Sequence, residues 1–149
     1  MYRTTLFKKL RKAFGSRVVI RYRRRRVGTL KGSAHAYREH KEAARIFVHR
    51  KLTELNLHYG FAYARVAIKN TRTRWGSCSK KGNLNFHFRI MELPSFLAEY
   101  IVVHELCHLK EFNHGRAFWD LVAEKIPDHV HVRSELKNFD HNKTSHSQS

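Results

Sequence analysis

Cysteine, proline and acidic residues are all scarce in this sequence, and each scarcity excludes something. Two cysteines in 149 residues, Cys78 and Cys107, provide neither a disulfide framework nor a CxxC motif. They fall in different predicted elements, so both are expected as free thiols in a reducing, cytoplasmic compartment. Two prolines and seven glycines leave no low-complexity linker, and no internal repeat is present. No run approaches the ~18 apolar residues of a membrane span, and the start, Met1 to Lys9, lacks the ~7–15-residue apolar block of a secretory signal. Twelve acidic residues stand against 30 Lys and Arg, for a net charge of +18.

That charge is unevenly spread. Residues 1–51 carry +15, residues 52–90 carry +6 and residues 91–149 carry −3. The densest knot includes Arg23, Arg24, Arg25 and Arg26, which suits either a polyanion such as nucleic acid, bound with counterion release, or a solvated basic arm. The length suits one domain, read as a basic arm over 1–35, a folded body over 36–139 and a disordered tail over 140–149.

Hydrophobic spacing places the elements. Leu6, Phe7, Leu10 and Phe14 predict a short basic helix over 6–14, and a strand is expected over 17–22. Tyr37, Ala44, Val48, Leu52 and Leu55 predict a helix from Ala36 to His58, with Gly60 just past its end. Strands are expected at Tyr63–Lys69, Thr73–Ser79 and Leu84–Ile90, the last two joined through Lys80-Lys81-Gly82-Asn83 as a hairpin, giving three antiparallel strands. Pro94 suits the first turn of a largely apolar, buried helix running to Lys110. Further helices are expected at Arg116–Ile126, halted by Pro127, and at Val130–Phe139.

The buried helix carries His104-Glu105-Leu106-Cys107-His108. Histidines at i and i+4 project from one face and can share a cation, and a third, His114, follows beyond the helix end where Asn113 and Gly115 let the chain turn back. Twelve histidines make a bare HExxH weak evidence. An apolar helix around the motif and a third His at a workable distance make it strong, because His and Glu facing a core without a cation would be costly to desolvate. Three imidazole ligands suit Zn2+ with one position open to water, and Glu105 stands where it can take that water's proton. Arg74 is a candidate oxyanion donor or a partner for an acidic group, and His87 a candidate for the cleft or for the core. Glu111 and Asp120 are candidates to orient the ligand imidazoles or are solvated carboxylates.

With Thr73-Arg74-Trp75-Gly76-Ser77-Cys78-Ser79, Gly82-Asn83-Leu84-Asn85-Phe86, the helix Tyr100 to Leu109 and Asn113-His114-Gly115-Arg116-Ala117-Phe118-Trp119, the chain resembles the YgjP-like metallopeptidases over about Tyr37 to Asp128. These are relatives of the SprT-like and Wss1-like zinc proteases. The resemblance implies an α+β, zincin-like fold with an N-terminal helix, a small three-stranded antiparallel sheet, the buried HExxH helix and a C-terminal helix. It also implies His104, His108 and His114 as zinc ligands and Glu105 as catalytic acid/base. Gly115 replaces the Ser common after the third histidine, removing a hydroxyl cap from the next helix.

Three functions stay open at this level. The first is a zinc metallopeptidase acting on a polypeptide, with nucleic-acid association through the arm. The second is a zinc-dependent nucleotide or RNA phosphohydrolase, and the third a non-catalytic nucleic-acid-binding zinc module. Glu105 disfavours the zinc endoribonucleases with a similar histidine spacing, and Glu111 with no later Met disfavours the metzincins.

Overall fold

The computed structural model describes residues 30–143. The expected helix over 6–14, the strand over 17–22 and Arg23 to Arg26 lie outside the described residues.

The first described helix, α1 (Ala34–Tyr59), starts where the Ser33 hydroxyl accepts the Ala36 N–H at 3.0 Å and stops where Gly60 turns left-handed at φ 63°. Between those caps Ala44, Val48, Leu52 and Leu55 bury one stripe, the helical spacing expected of them. Ahead of the cap, Leu30 is buried, its N–H reaches the Arg72 carbonyl at 2.8 Å, and the Gly32 backbone exchanges two hydrogen bonds with the Asn70 side chain. Residues 30–33 therefore pack with the domain, on the arm side of the boundary read from sequence. Gly32 has to be glycine-like, since a Cβ there would lie 2.6 Å from the Phe88 ring.

Three strands follow, β1 (Arg65–Lys69), β2 (Gly76–Cys78) and β3 (Asn83–His87), in the spatial order β1-β3-β2. The β2–β3 hairpin is antiparallel as expected, with Gly82 at φ 73° in its turn. β1 pairs with β3 in parallel, so the sheet is mixed and the expectation of three antiparallel strands is corrected. Residues 70–75 do not close a hairpin; they carry the chain past the slot that β3 later fills. Period-two alternation reports which face a residue occupies and says nothing of strand direction.

The expected strand Leu84–Ile90 also ends early. His87 Nδ1 accepts the Arg89 N–H at 3.1 Å, and this side-chain cap turns Phe88–Glu92 into a 3-10 helix that buries Phe88 and Ile90. The next helix, α2 (Ser95–Cys107), starts after Pro94, whose carbonyl accepts from Leu97 and Ala98. Ten of its 13 residues are buried, because α1, β2 and two later helices pack around it. The expected run to Lys110 is three residues too long, since the chain turns at His108. Lys51 of α1 meets Glu99 of α2 at 3.0 Å, both nearly buried, with the Ser95 hydroxyl on the same carboxylate oxygen.

Helix α3 (Arg116–Lys125) ends before Pro127 as expected, and α4 (His129–Lys143) runs four residues past the expected end at Phe139. Residues 140–143, read from sequence as the start of a disordered tail, are helical. Among the described residues no helix is long and apolar enough to cross a membrane. Among the described residues the architecture is α+β, four helices and a small mixed sheet around one core.

Candidate metal centre

One helical turn separates His104 from His108, which puts both rings on one face of α2, and their Nε2 atoms lie 3.1 Å apart. His108 is the first residue past the helix, and its Nδ1 lies 3.0 Å from the Glu111 carbonyl. A carbonyl only accepts, so Nδ1 carries the proton and the Nε2 lone pair points at the cluster. The turn after His108 returns His114, whose Nε2 lies 3.0 Å from that of His104. Three imidazole nitrogens thus converge, all within 4.8 Å of one another. Neutral lone pairs so placed repel unless a cation or proton lies among them, and a borderline-soft divalent cation such as zinc suits this donor set.

Electrostatics keep His104 and His108 in their ligand form. Burial, with smaller contributions from His108, His114 and Arg133, lowers the His104 pKa to about 3. Burial likewise lowers His108, the Glu111 carbonyl opposing it and His114 adding to it. Both imidazoles are therefore neutral near pH 7.

Aromatic side chains form the floor. Phe118, fully buried, stacks on His108 at 4.5 Å and meets His104 and His114 edge-on at 4.9 and 4.7 Å. Trp119 stacks on His114 at 5.7 Å and donates its indole N–H to the His114 carbonyl at 3.0 Å. Trp119 also stacks on His129 at 5.1 Å and has the Arg133 guanidinium over its ring at 5.2 Å. Sequence reasoning assigned Phe118 and Trp119 no role. The available signal was an aromatic pair one turn after the last histidine, where period alone reads as core.

Glu105 is buried at the back of the cleft, and burial pushes its carboxyl up to about 8 against the pull of the Arg74 charge. Its carboxylate lies so close to β2 that a Cβ on Gly76 would come within 2.6 Å of Oε1. Gly76 therefore lets strand and carboxylate touch. The cleft, about 290 Å³, is bordered by the three histidines, Glu105, Arg74, Ser77, Cys78 and Phe112. Cys78 and Cys107 are both free thiols. Burial, helped by Glu105, raises the Cys78 thiol to about 11, so it stays protonated.

The other sequence candidates separate. Arg74 reaches the cleft. His87 does not; it is buried against Trp75 and Phe88 and caps the 3-10 helix. Glu111 orients His108 through its backbone carbonyl and not its carboxylate, and Asp120 faces Arg116 at 3.7 Å on the surface, so neither carboxylate serves a ligand imidazole. Gly115 caps α3 without a side-chain hydrogen bond, as its lack of a hydroxyl requires.

The chain matches the family model described as YgjP-like, metallopeptidase domain over residues 8–139, which takes the likeness well into the basic arm, beyond the span read from sequence. It is similar in structure to the crystal structure of the metallopeptidase zymogen of Pyrococcus abyssi abylysin, with a TM-score of 0.55 and 23% identity over 60% of this chain and 90% of that one. No curated protein matches the sequence.

Proposed function

Because the chain belongs to the YgjP-like metallopeptidase family, we propose that it is a zinc-dependent peptidase in which His104, His108 and His114 hold the metal and Glu105 moves the proton. The observation that carries this reading is the convergence of the His108 and His114 Nε2 atoms, 3.1 and 3.0 Å from that of His104, beside a buried carboxylate. When bound, zinc supplies Lewis-acid chemistry, making water nucleophilic near neutral pH and polarising the scissile carbonyl. Glu105 accepts the proton released as water attacks the carbonyl carbon, then delivers it to the leaving amine nitrogen. With a cation held by the three histidines, the Glu105 carboxylate would be kept ionised against the upward push of burial and so ready to accept. The Arg74 guanidinium, at the mouth of the cleft, faces the negative charge that develops on the carbonyl oxygen. Cys78 and Cys107, both unbridged, suit a cytoplasmic setting.

The metal cluster among the described residues has three members, which favours an open coordination position over a closed structural site. The phosphohydrolase reading keeps one specific observation, the +15 carried by residues 1–51. A single panel tests both: zinc-loaded protein offered unfolded polypeptides, RNA and nucleoside triphosphates, with Glu105→Gln as control. We expect polypeptide cleavage that falls at least ~10³-fold in Glu105→Gln while zinc is retained. Cleavage of RNA or nucleotides alone, or full turnover by the variant, overturns the reading.

A further inference from the structure

The outer face of the sheet carries a second cavity, of about 310 Å³, that the hydrolytic chemistry does not use. Strand alternation builds it. Ile68, Leu84 and Phe86 bury into the core, which sends Lys69, Ser77 and Asn85 to the opposite face, where they border the cavity. The loop between β1 and β2 closes one side with Thr73 and Arg74, and Thr71 pins that loop by donating its hydroxyl to the Arg74 carbonyl at 2.7 Å.

The lining includes two permanent cations, Lys69 and Arg74, and no carboxylate. Neither Lys69 nor Arg74 has a carboxylate within 4 Å among the described residues, although the Arg74 charge acts on Glu105 at longer range. Asn85 donates to Ser77 Oγ at 3.2 Å, which occupies that oxygen as an acceptor and leaves the Ser77 O–H to donate outward. Two cations with no carboxylate within 4 Å among the described residues, and a hydroxyl left to donate, in one concavity are the chemistry that recognises a carboxylate.

Its place is as informative as its lining. Arg74, Gly76 and Ser77 border both this cavity and the histidine cleft, so β2 is the wall between them. Among the described residues β2 is also an end strand of the sheet. A peptide extended along that edge points successive side chains to opposite faces, so a carbonyl presented to the cleft sends a neighbouring group towards the cavity.

We propose that this cavity is a specificity subsite for a peptide carboxylate, borne by an Asp or Glu next to the scissile bond or by the substrate's own C-terminus. The proposal rests on the peptidase reading for its substrate but not for its binding chemistry. Lys69 and Arg74 supply the charge and Ser77 the hydrogen bond.

Zinc-loaded protein offered matched quenched peptides with Glu, Gln or Lys beside the cleaved bond, each as free acid and as amide, reads the preference directly. The expected result is a kcat/KM about fivefold or more higher for the Glu peptide, or for the free acid, than for its neutral partner. Which pair separates identifies the source of the carboxylate. Lys69→Gln, with its melting temperature checked for an intact fold, should bring that ratio to within about twofold of one. Equal rates for all peptides, or an equal loss on charged and neutral peptides in the variant, overturns the subsite.

A second measurement needs no turnover: N-acetyl-glutamate amide and its glutamine counterpart are titrated into Glu105→Gln protein, following the Ser77 and Asn85 amide shifts. Saturable, Lys69-dependent binding of the acid alone supports the subsite even if no peptide is ever cleaved, in which case the peptidase reading fails by itself. Cleavage without preference and without acid binding sinks the subsite and leaves the peptidase. Inorganic phosphate binding more tightly than the glutamate amide overturns the proposal in favour of phosphate recognition.

Discussion

The three histidines of the metal centre are held in two different ways. His104 and His108 stand on or against α2, a helix with ten buried residues, and their relation is set by one turn of backbone. His114 is exposed, lies beyond the turn after α2, and owes its place to a stack and a hydrogen bond from Trp119 and an edge contact with Phe118. The first pair is therefore organised by local hydrogen bonding that forms with the helix. The third ligand is organised only when α3 and α4 have docked, since Trp119 is itself braced by His129 and Arg133 of α4. Metal binding should accordingly report on the packing of α3 and α4 as well as on the motif helix.

The comparison can be broken most severely at the ligands. His104→Ala removes a donor from the rigid pair and should weaken zinc affinity by roughly 10³-fold or more, about a third of the binding free energy of a structural zinc. His114→Ala should cost less, because the loop also loses its ordering penalty. Competition with a chelator measures both, and equal losses would mean the loop is as preorganised as the helix.

Gly76→Ala holds all three ligands constant and disturbs only Glu105. Its Cβ must displace the carboxylate, so kcat on a cleaved peptide should fall by up to about 100-fold while chelator competition reads an unchanged zinc affinity. A drop in both would place Gly76 in the support of the histidines. The smallest effect expected is that of Trp119→Ala, which removes the stack and the hydrogen bond behind His114 and should weaken zinc about tenfold. Trp119→Phe keeps a ring without the indole N–H and should fall between that variant and the parent. An unchanged affinity in Trp119→Ala would return Trp119 to plain packing.

Much of this was legible in the chain. The i, i+4 histidines, Glu105 between them and the buried character of α2 followed from spacing and composition, because a helix maps sequence separation onto a face without help from the rest of the fold. The end of α1 was legible within one residue because Gly60 is a local cap, while its start lies two residues earlier than expected, at the Ser33 cap. Errors gathered where a distant partner decides. β3 is a local exception: it ends at His87 because that side chain reaches forward to cap the following turn, which the apolar run through Ile90 conceals. Strand direction escaped because β1 and β2 are separated by a strand that comes later in sequence. His87 was offered to the cleft since an alternating strand presents it to one face, and packing with Trp75 and Phe88 took it elsewhere.

The sequence by itself determined the donor chemistry: imidazoles at helical spacing, a carboxylate beside them and a third histidine past a turn, together with a strong positive charge weighted towards the N-terminal third. Only the tertiary structure decided that Glu111 orients His108 by its carbonyl, that Phe118 and Trp119 underlie the ligands, and that β2 separates a histidine cleft from a basic cavity. The reason is physical. Side-chain type and short-range spacing are properties of the chain, whereas which backbone carbonyl, ring or cation ends up beside a given atom depends on how helices and strands far apart in sequence bury their apolar faces together.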